Sequence, residues 1–230
     1  MLPSKYLVFD FGGTLADYEN LPMAWADYYP TAFEYVSRDF NITFSQTVIS
    51  QATEILKSYN ARFYPRKTEI SDTTVFESVN NALKIPAAPK QIAQSFYKFF
   101  QEKLVVYEET KYVLQELKQR GCKIGVLSDL PTGMPHESFL EDLAKIGFEF
   151  DLSCVKSSMS VGFRKPEPNS IFEIARKFDC SPSQICFIGD EEKDVQTIKT
   201  AGGYAILINR KKHPQNFGED LCISSLKELL

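Results

Sequence analysis

What most constrains this chain is a repeated unit, a short apolar run rich in β-branched residues followed by a segment with helical periodicity. The runs are Tyr6-Leu7-Val8-Phe9, Lys123-Ile124-Gly125-Val126-Leu127, Gln184-Ile185-Cys186-Phe187-Ile188 and Tyr204-Ala205-Ile206-Leu207-Ile208. Their apolar residues are consecutive rather than alternating, so parallel strands buried on both faces are expected. Helical periods cover Glu108 to Arg120, Glu137 to Ile146, Pro168 to Phe178 and Glu192 to Thr200, and Gly121, Gly147 and Gly202 stand where several of them close. Strand then helix, repeated, implies right-handed crossovers. The expected fold class is therefore α/β, a doubly wound, Rossmann-like parallel sheet. A weaker fifth strand is expected around Leu152 to Val155.

From about Tyr18 to Leu104 the strand signals stop and aromatic-rich helical periods take over. Helices are expected over Met23 to Arg38, Ser45 to Arg62, Thr73 to Leu83 and Pro89 to Lys103, with Ser45, Ser71 and Pro89 as start signals. The reading is an α-helical domain over 17–104, inserted into a sheet domain made of 1–16 and 105–230. Its two linkers are expected to hinge over whatever sits at the end of the first strand.

Composition narrows the class. No apolar run approaches the roughly 18 to 20 residues of a membrane span. The segment Met1 to Lys5 runs directly into a strand without a leader-like pattern, which points to a cytoplasmic protein with no membrane partner. Net charge is −4 with no basic patch, so nucleic acid is not an expected partner. A small molecule is, for a monomer or homodimer. The five cysteines lack paired C-x-x-C spacing and read as reduced core thiols. With only His136 and His213 present, histidine-rich metal sites are poorly supplied.

In open α/β sheets ligands gather outside the carboxyl ends of the strands. The residues following the runs are Asp10-Phe11-Gly12-Gly13-Thr14-Leu15, Ser128-Asp129 and Gly189-Asp190-Glu191-Glu192-Lys193-Asp194; before the Pro168 helix comes Gly162-Phe163-Arg164-Lys165-Pro166-Glu167. Carboxylates, a hydroxyl and a lysine thus share one rim. Singly, each reads equally well as a cap, a turn or a solvated charge.

In order and spacing these segments resemble the four signature motifs of the haloacid dehalogenase (HAD) superfamily of phosphohydrolases, over nearly the whole chain, with a helical cap inserted after the first. The resemblance implies that Asp10 attacks phosphorus as a nucleophile and becomes an aspartyl phosphate. It implies Mg²⁺ held by Asp10, the backbone carbonyl of Gly12 and Asp190, with Asp194 as a further ligand or an orienting carboxylate. Ser128, Asp129, Lys165 and the backbone of Gly13 would bind phosphate, and Lys165 would neutralise growing transition-state charge.

One position departs from the family. The usual Asp-x-Asp of the first motif, whose second carboxylate protonates the leaving group, ends here in Gly12. Three chemistries stay open: a phosphatase on a small phosphorylated metabolite, C–P or carbon–halogen cleavage, and a phosphate-binding or regulatory protein without turnover. Candidate substrate contacts in the insertion are Tyr18, Trp25, Tyr28, Tyr29 and the pair Arg66-Lys67.

Overall fold

A run that is apolar at every position needs cover on both faces, and the computed structural model, which describes residues 2–22, 24–210 and 215–230, provides it. The strands are β1 (Tyr6–Phe9), β2 (Ala16–Tyr18), β3 (Leu104–Val106), β4 (Lys123–Ser128), β5 (Val155–Ser157), β6 (Ile185–Gly189), β7 (Tyr204–Ile208) and β8 (Leu221–Ile223). Six of them form a parallel sheet in the order β5-β4-β1-β6-β7-β8, while β2 and β3 pair separately. This is the expected α/β fold. The weak strand begins at Val155, because Leu152–Cys154 winds into a 3₁₀ turn capped by the Asp151 carboxylate. The short strands β2, β3 and β8 carry too few residues for a legible pattern and were not expected. Met23, the expected start of the first helix, and His213 lie outside the described residues.

The helices are α1 (Tyr29–Asp39), α2 (Gln46–Ser58), α3 (Asp72–Leu83), α4 (Pro89–Gln101), α5 (Thr110–Gln119), α6 (His136–Ala144), α7 (Ser158–Val161), α8 (Asn169–Phe178) and α9 (Glu192–Thr200). The chain divides into two units: Met1–Asp17 with Val105–Asp129 and Leu143–Leu230, and Tyr18–Leu104 with Leu130–Asp142.

In the sheet unit, Val8, Leu127, Phe187 and Leu207 pack against Ile171, Ile174 and Phe178 of α8 and Val195 and Ile198 of α9. Fully burying one such side chain stabilises the fold by about 1.5–3 kcal/mol. Cys154 and Cys186 are buried as expected, whereas Cys122 and Cys180 are half-buried and Cys222 is exposed at the short strand β8.

In the helical unit the start signals work as caps. Ser45 Oγ accepts from Val48 N at 3.3 Å, and Ser71 Oγ from Thr74 N at 3.1 Å. The core is aromatic, with the Phe96 ring centroid 4.7 Å from Phe33 and 5.6 Å from both Tyr29 and Phe76. The units differ from the expected 17–104 in two respects: Asp17 groups with the sheet unit, and Leu130–Asp142 groups with the helices. Non-local hydrogen bonds explain the second: Tyr97 donates to Thr132 O, and Gln101 Nε2 to Ser138 O at 2.9 Å. Among the described residues no helix is long and apolar enough to cross a membrane.

Candidate active site

The register of the central strands assembles the site. Phe9 of β1 lies opposite Val126 of β4 and Ile188 of β6, so Asp10, Ser128 and Asp190 leave the sheet at nearly one level. Asp10 N donates to Ile188 O at 2.8 Å, which continues the ladder one residue past the strand. All eight residues expected at the rim, Asp10, Gly12, Gly13, Ser128, Asp129, Lys165, Asp190 and Asp194, belong to the sheet unit.

Three carboxylates converge. One oxygen from each of Asp10, Asp190 and Asp194 lies within 4.8 Å of the others. Burial and the nearby Asp194 charge push Asp10 up to about 7, although the Lys165 ammonium opposes them. Burial first, then repulsion from Asp10, Asp194 and Glu191, pushes Asp190 up to about 8. Asp190 Oδ1 is buried and makes no hydrogen bond among the described residues. An unpartnered buried carboxylate oxygen is costly. Hard, anionic, close-set oxygens with one left unpaired fit a small divalent cation such as Mg²⁺.

Asp194 plays a different part from the other two. Its Oδ1 is 2.5 Å from Lys165 Nζ, and its Oδ2 accepts from Glu191 N at 2.9 Å in the capping box that opens α9. Both oxygens are engaged, an arrangement suited to an orienting carboxylate. Lys165 Nζ also lies 2.8 Å from Asp10 Oδ1. Burial alone would lower the pKa of Lys165; Asp10, Asp194 and Asp129 more than offset it and raise it well above the usual lysine range. The lysine is fully charged.

Two expected roles change. Asp129 was grouped with the phosphate-binding residues, but its carboxylate is 4% exposed and ringed by cations, with Lys193 Nζ at 3.3 Å and an Arg164 nitrogen at 3.7 Å from Oδ2. Its Oδ1 accepts from Lys165 N at 3.0 Å. It is a counter-ion that seats the lysine loop, since a second anion facing phosphate would repel it. Gly13 N–H, expected as a phosphate donor, already donates to Ala16 O at 2.8 Å. Gly13 matters instead for its φ of +73° and because a side chain there would run into the Asp190 carboxylate. At Gly12, by contrast, no atom of the described residues lies within 4 Å of where a Cβ would stand.

Ser128 ends β4, buried, opposite Ser157. Lys193 and Arg164 were within the quoted motifs without an assigned role, and only their shared contact with Asp129 identifies them as part of the charge network. Of the substrate contacts expected in the insertion, Tyr29 is a core residue whose hydroxyl accepts from Asn60 Nδ2 at 2.9 Å. Its place at helical spacing beside Phe33 puts it on the buried stripe. Tyr18 donates to Asp142 Oδ2 at 2.8 Å, Trp25 stacks on Phe100 at 4.6 Å, Tyr28 donates to Asn20 O at 3.1 Å, and Arg66 pairs with Glu69 at 2.9 Å. Lys67 also has a partner within the structure.

Comparison with known proteins places the chain in a family and a fold. The family described as haloacid dehalogenase-like hydrolase matches residues 5–202. A phosphoglycolate phosphatase of Haemophilus influenzae is 27% identical over 117 residues, covering 49% of this chain and 50% of that protein. A glyceraldehyde 3-phosphate phosphatase of Methanothermobacter thermautotrophicus is 30% identical over 135 residues, covering 54% and 58%. This chain thus spans about half the length of the curated relatives it matches. Among solved structures, a HAD phosphatase from Thermococcus onnurineus superposes with a TM-score of 0.64 at 23% identity, covering 97% of this chain and 95% of that one, which is a likeness of fold.

Proposed function

Since the chain belongs to the haloacid dehalogenase-like hydrolases, we propose that it is a Mg²⁺-dependent phosphohydrolase acting on a small phosphorylated metabolite through an aspartyl phosphate on Asp10. The observation that carries this reading is the convergence of Asp10, Asp190 and Asp194 around a buried, unpartnered Asp190 oxygen, with Lys165 bridging Asp10 and Asp194. The inserted helical unit is read as the family's cap domain.

Asp10, the Gly12 carbonyl and Asp190 would hold the cation, and Asp194 would orient Lys165 beside it. When bound, Mg²⁺ supplies charge neutralisation that lets an anionic nucleophile meet an anionic phosphate. An Asp10 carboxylate oxygen forms a bond to phosphorus as the ester P–O bond breaks, and its electron pair leaves with the alkoxide or phenolate. Water then attacks phosphorus, the aspartyl P–O bond breaks, and inorganic phosphate and the Asp10 carboxylate are regenerated. Lys165 donates to a phosphoryl oxygen as charge grows, and the Ser128 hydroxyl supplies a second donor. Gly12 brings no proton donor, so the leaving group takes its proton from solvent or from the substrate itself.

The relatives named above point the substrate search toward short phosphorylated carbon chains such as phosphoglycolate and glyceraldehyde 3-phosphate. The test is turnover of p-nitrophenyl phosphate and of a panel of such esters, with Mg²⁺ and with EDTA. Mg²⁺-dependent phosphate release is expected. Gly12 favours one second reading, a phosphate-binding or regulatory protein without turnover. Phosphate binding with no release from any ester would replace the first reading by that one.

A further inference from the structure

We propose that Arg210 is a positioning residue for the turn that carries Asp10 and Gly12. The inference rests on the phosphohydrolase reading only where activity is its readout.

Arg210 follows β7 on the same rim as the other strand-end residues, with its backbone anchored next door by Asn209 N donating to Ile223 O at 2.7 Å. Its guanidinium reaches back across the sheet to the turn after β1. Nε donates to Gly13 O at 3.2 Å, one terminal nitrogen to Thr14 O at 2.7 Å, and the other pairs with Glu109 at 2.7 Å. The plane lies over the Tyr107 ring, 3.6 Å from its centroid, and Tyr107 donates to Asp17 Oδ2 at 3.3 Å. A planar fork can make these contacts together; a lysine ammonium has no such fixed geometry. The arginine and Glu109 side chains are 18% and 12% exposed. Burial would raise Glu109, but the hydrogen bond and charge of Arg210 together with backbone hydrogen bonds outweigh that and lower its pKa.

The turn's amides are satisfied from within. Gly13 N donates to Ala16 O, and Thr14, Leu15 and Ala16 N all converge on Phe11 O. Its carbonyls depend on outside groups: Leu15 O takes Tyr107 N and the Thr110 hydroxyl, while Gly13 O and Thr14 O take Arg210. Peptide planarity holds each carbonyl antiparallel to the N–H of the next residue, so orienting one orients the other. Arg210 fixes the two planes that flank Thr14, while Gly13 N donating to Ala16 O fixes the Gly12–Gly13 plane; together they hold the turn on which the Gly12 carbonyl, proposed as a cation ligand, and the glycine surface beside the Asp190 carboxylate depend. The role is to hold those oxygens in place, not to touch substrate.

The test compares wild type with Arg210→Met, which keeps an unbranched stem and removes the guanidinium, and with Arg210→Lys. Hydrogen exchange of the amides of Gly13 to Ala16 is the readout independent of turnover. Arg210→Met is expected to speed that exchange about tenfold or more by loosening the turn locally. On p-nitrophenyl phosphate, kcat is expected to fall about 100-fold with KM little changed, because sub-ångström misplacement is felt in the chemical step. The Mg²⁺ concentration for half-maximal activity should rise, and Arg210→Lys should recover part of each effect. A folded Arg210→Met with exchange and Mg²⁺ requirement within about twofold of wild type overturns the proposal. If Arg210→Met does not fold, Glu109→Gln, which removes the anchor and keeps the arginine, is read the same way with a smaller expected effect. A wild type that turns over no ester defeats the phosphohydrolase reading, and the exchange result still decides the part Arg210 plays.

Discussion

Lys165 Nζ stands 2.8 Å from Asp10 Oδ1, in a pair whose side chains are 2% and 6% exposed. The cation proposed to meet a phosphoryl group therefore begins paired with the proposed nucleophile. Asp194 holds it from the other side at 2.5 Å.

The pair makes Lys165→Ala a test of stability as well as turnover. Removing the ammonium leaves Asp10 and Asp194 buried without compensation, an expected loss of about 3–5 kcal/mol. Asp10→Asn keeps the shape and lowers the local negative charge, so it should abolish turnover with little loss of stability. Urea titration and phosphate release check both. Full activity in Asp10→Asn would remove Asp10 from the role of nucleophile.

Asp190 tests the cation. Its carboxylate is held among like charges with one oxygen unpartnered, so Mg²⁺ is expected to raise the thermal midpoint of the wild type by mass action. Asp190→Asn should raise the midpoint in EDTA by relieving repulsion, and should remove most of the Mg²⁺ response and most activity. Differential scanning calorimetry with and without Mg²⁺ is the measurement, and an equal Mg²⁺ response in both proteins would place the cation elsewhere.

Gly12→Asp restores a side-chain acid where the family carries one, at a position with room for a Cβ. General acid help is typically worth about 10²- to 10⁴-fold. The gain is expected on alkyl phosphates, whose alkoxides need a proton, and is expected to be small on aryl phosphates. Initial rates against leaving-group basicity measure it. A gain equal on both classes would show that protonation is not what limits turnover.

Asp129 sets an acid limit on stability. Burial would raise its pKa, but Lys193, Arg164 and Lys165 outweigh burial and lower it below the ordinary 3.8. With the native value below the unfolded one, its contribution is fully present above about pH 4 and is lost as pH falls through the lowered native value. Asp129→Asn should cost about 3 kcal/mol at pH 7 by leaving cations unpaired, and the difference from wild type should shrink at low pH. Urea midpoints at pH 7 and pH 3 check this, and a pH-independent difference would mean that Asp129 acts through packing alone.

The fold, and the gathering of the candidate site's residues on one rim, were legible in the residues themselves because both depend on local pattern. Consecutive apolar residues in Tyr6–Phe9 and Ile185–Ile188 demand a two-sided cover, and a parallel sheet with right-handed crossovers brings their carboxyl ends together, which places Asp10, Ser128 and Asp190 on one rim. Partner choice was not legible. Asp129 differs from Asp190 in which groups face it, chiefly three cations in one case and three carboxylates in the other. Arg210 meets a turn nearly two hundred residues earlier, and the allegiance of Leu130–Asp142 rests on bonds to Tyr97 and Gln101. Periodicity records which face of an element is buried. It carries no record of which charge, across the fold, that face or rim will meet, and that choice is made by the long-range packing.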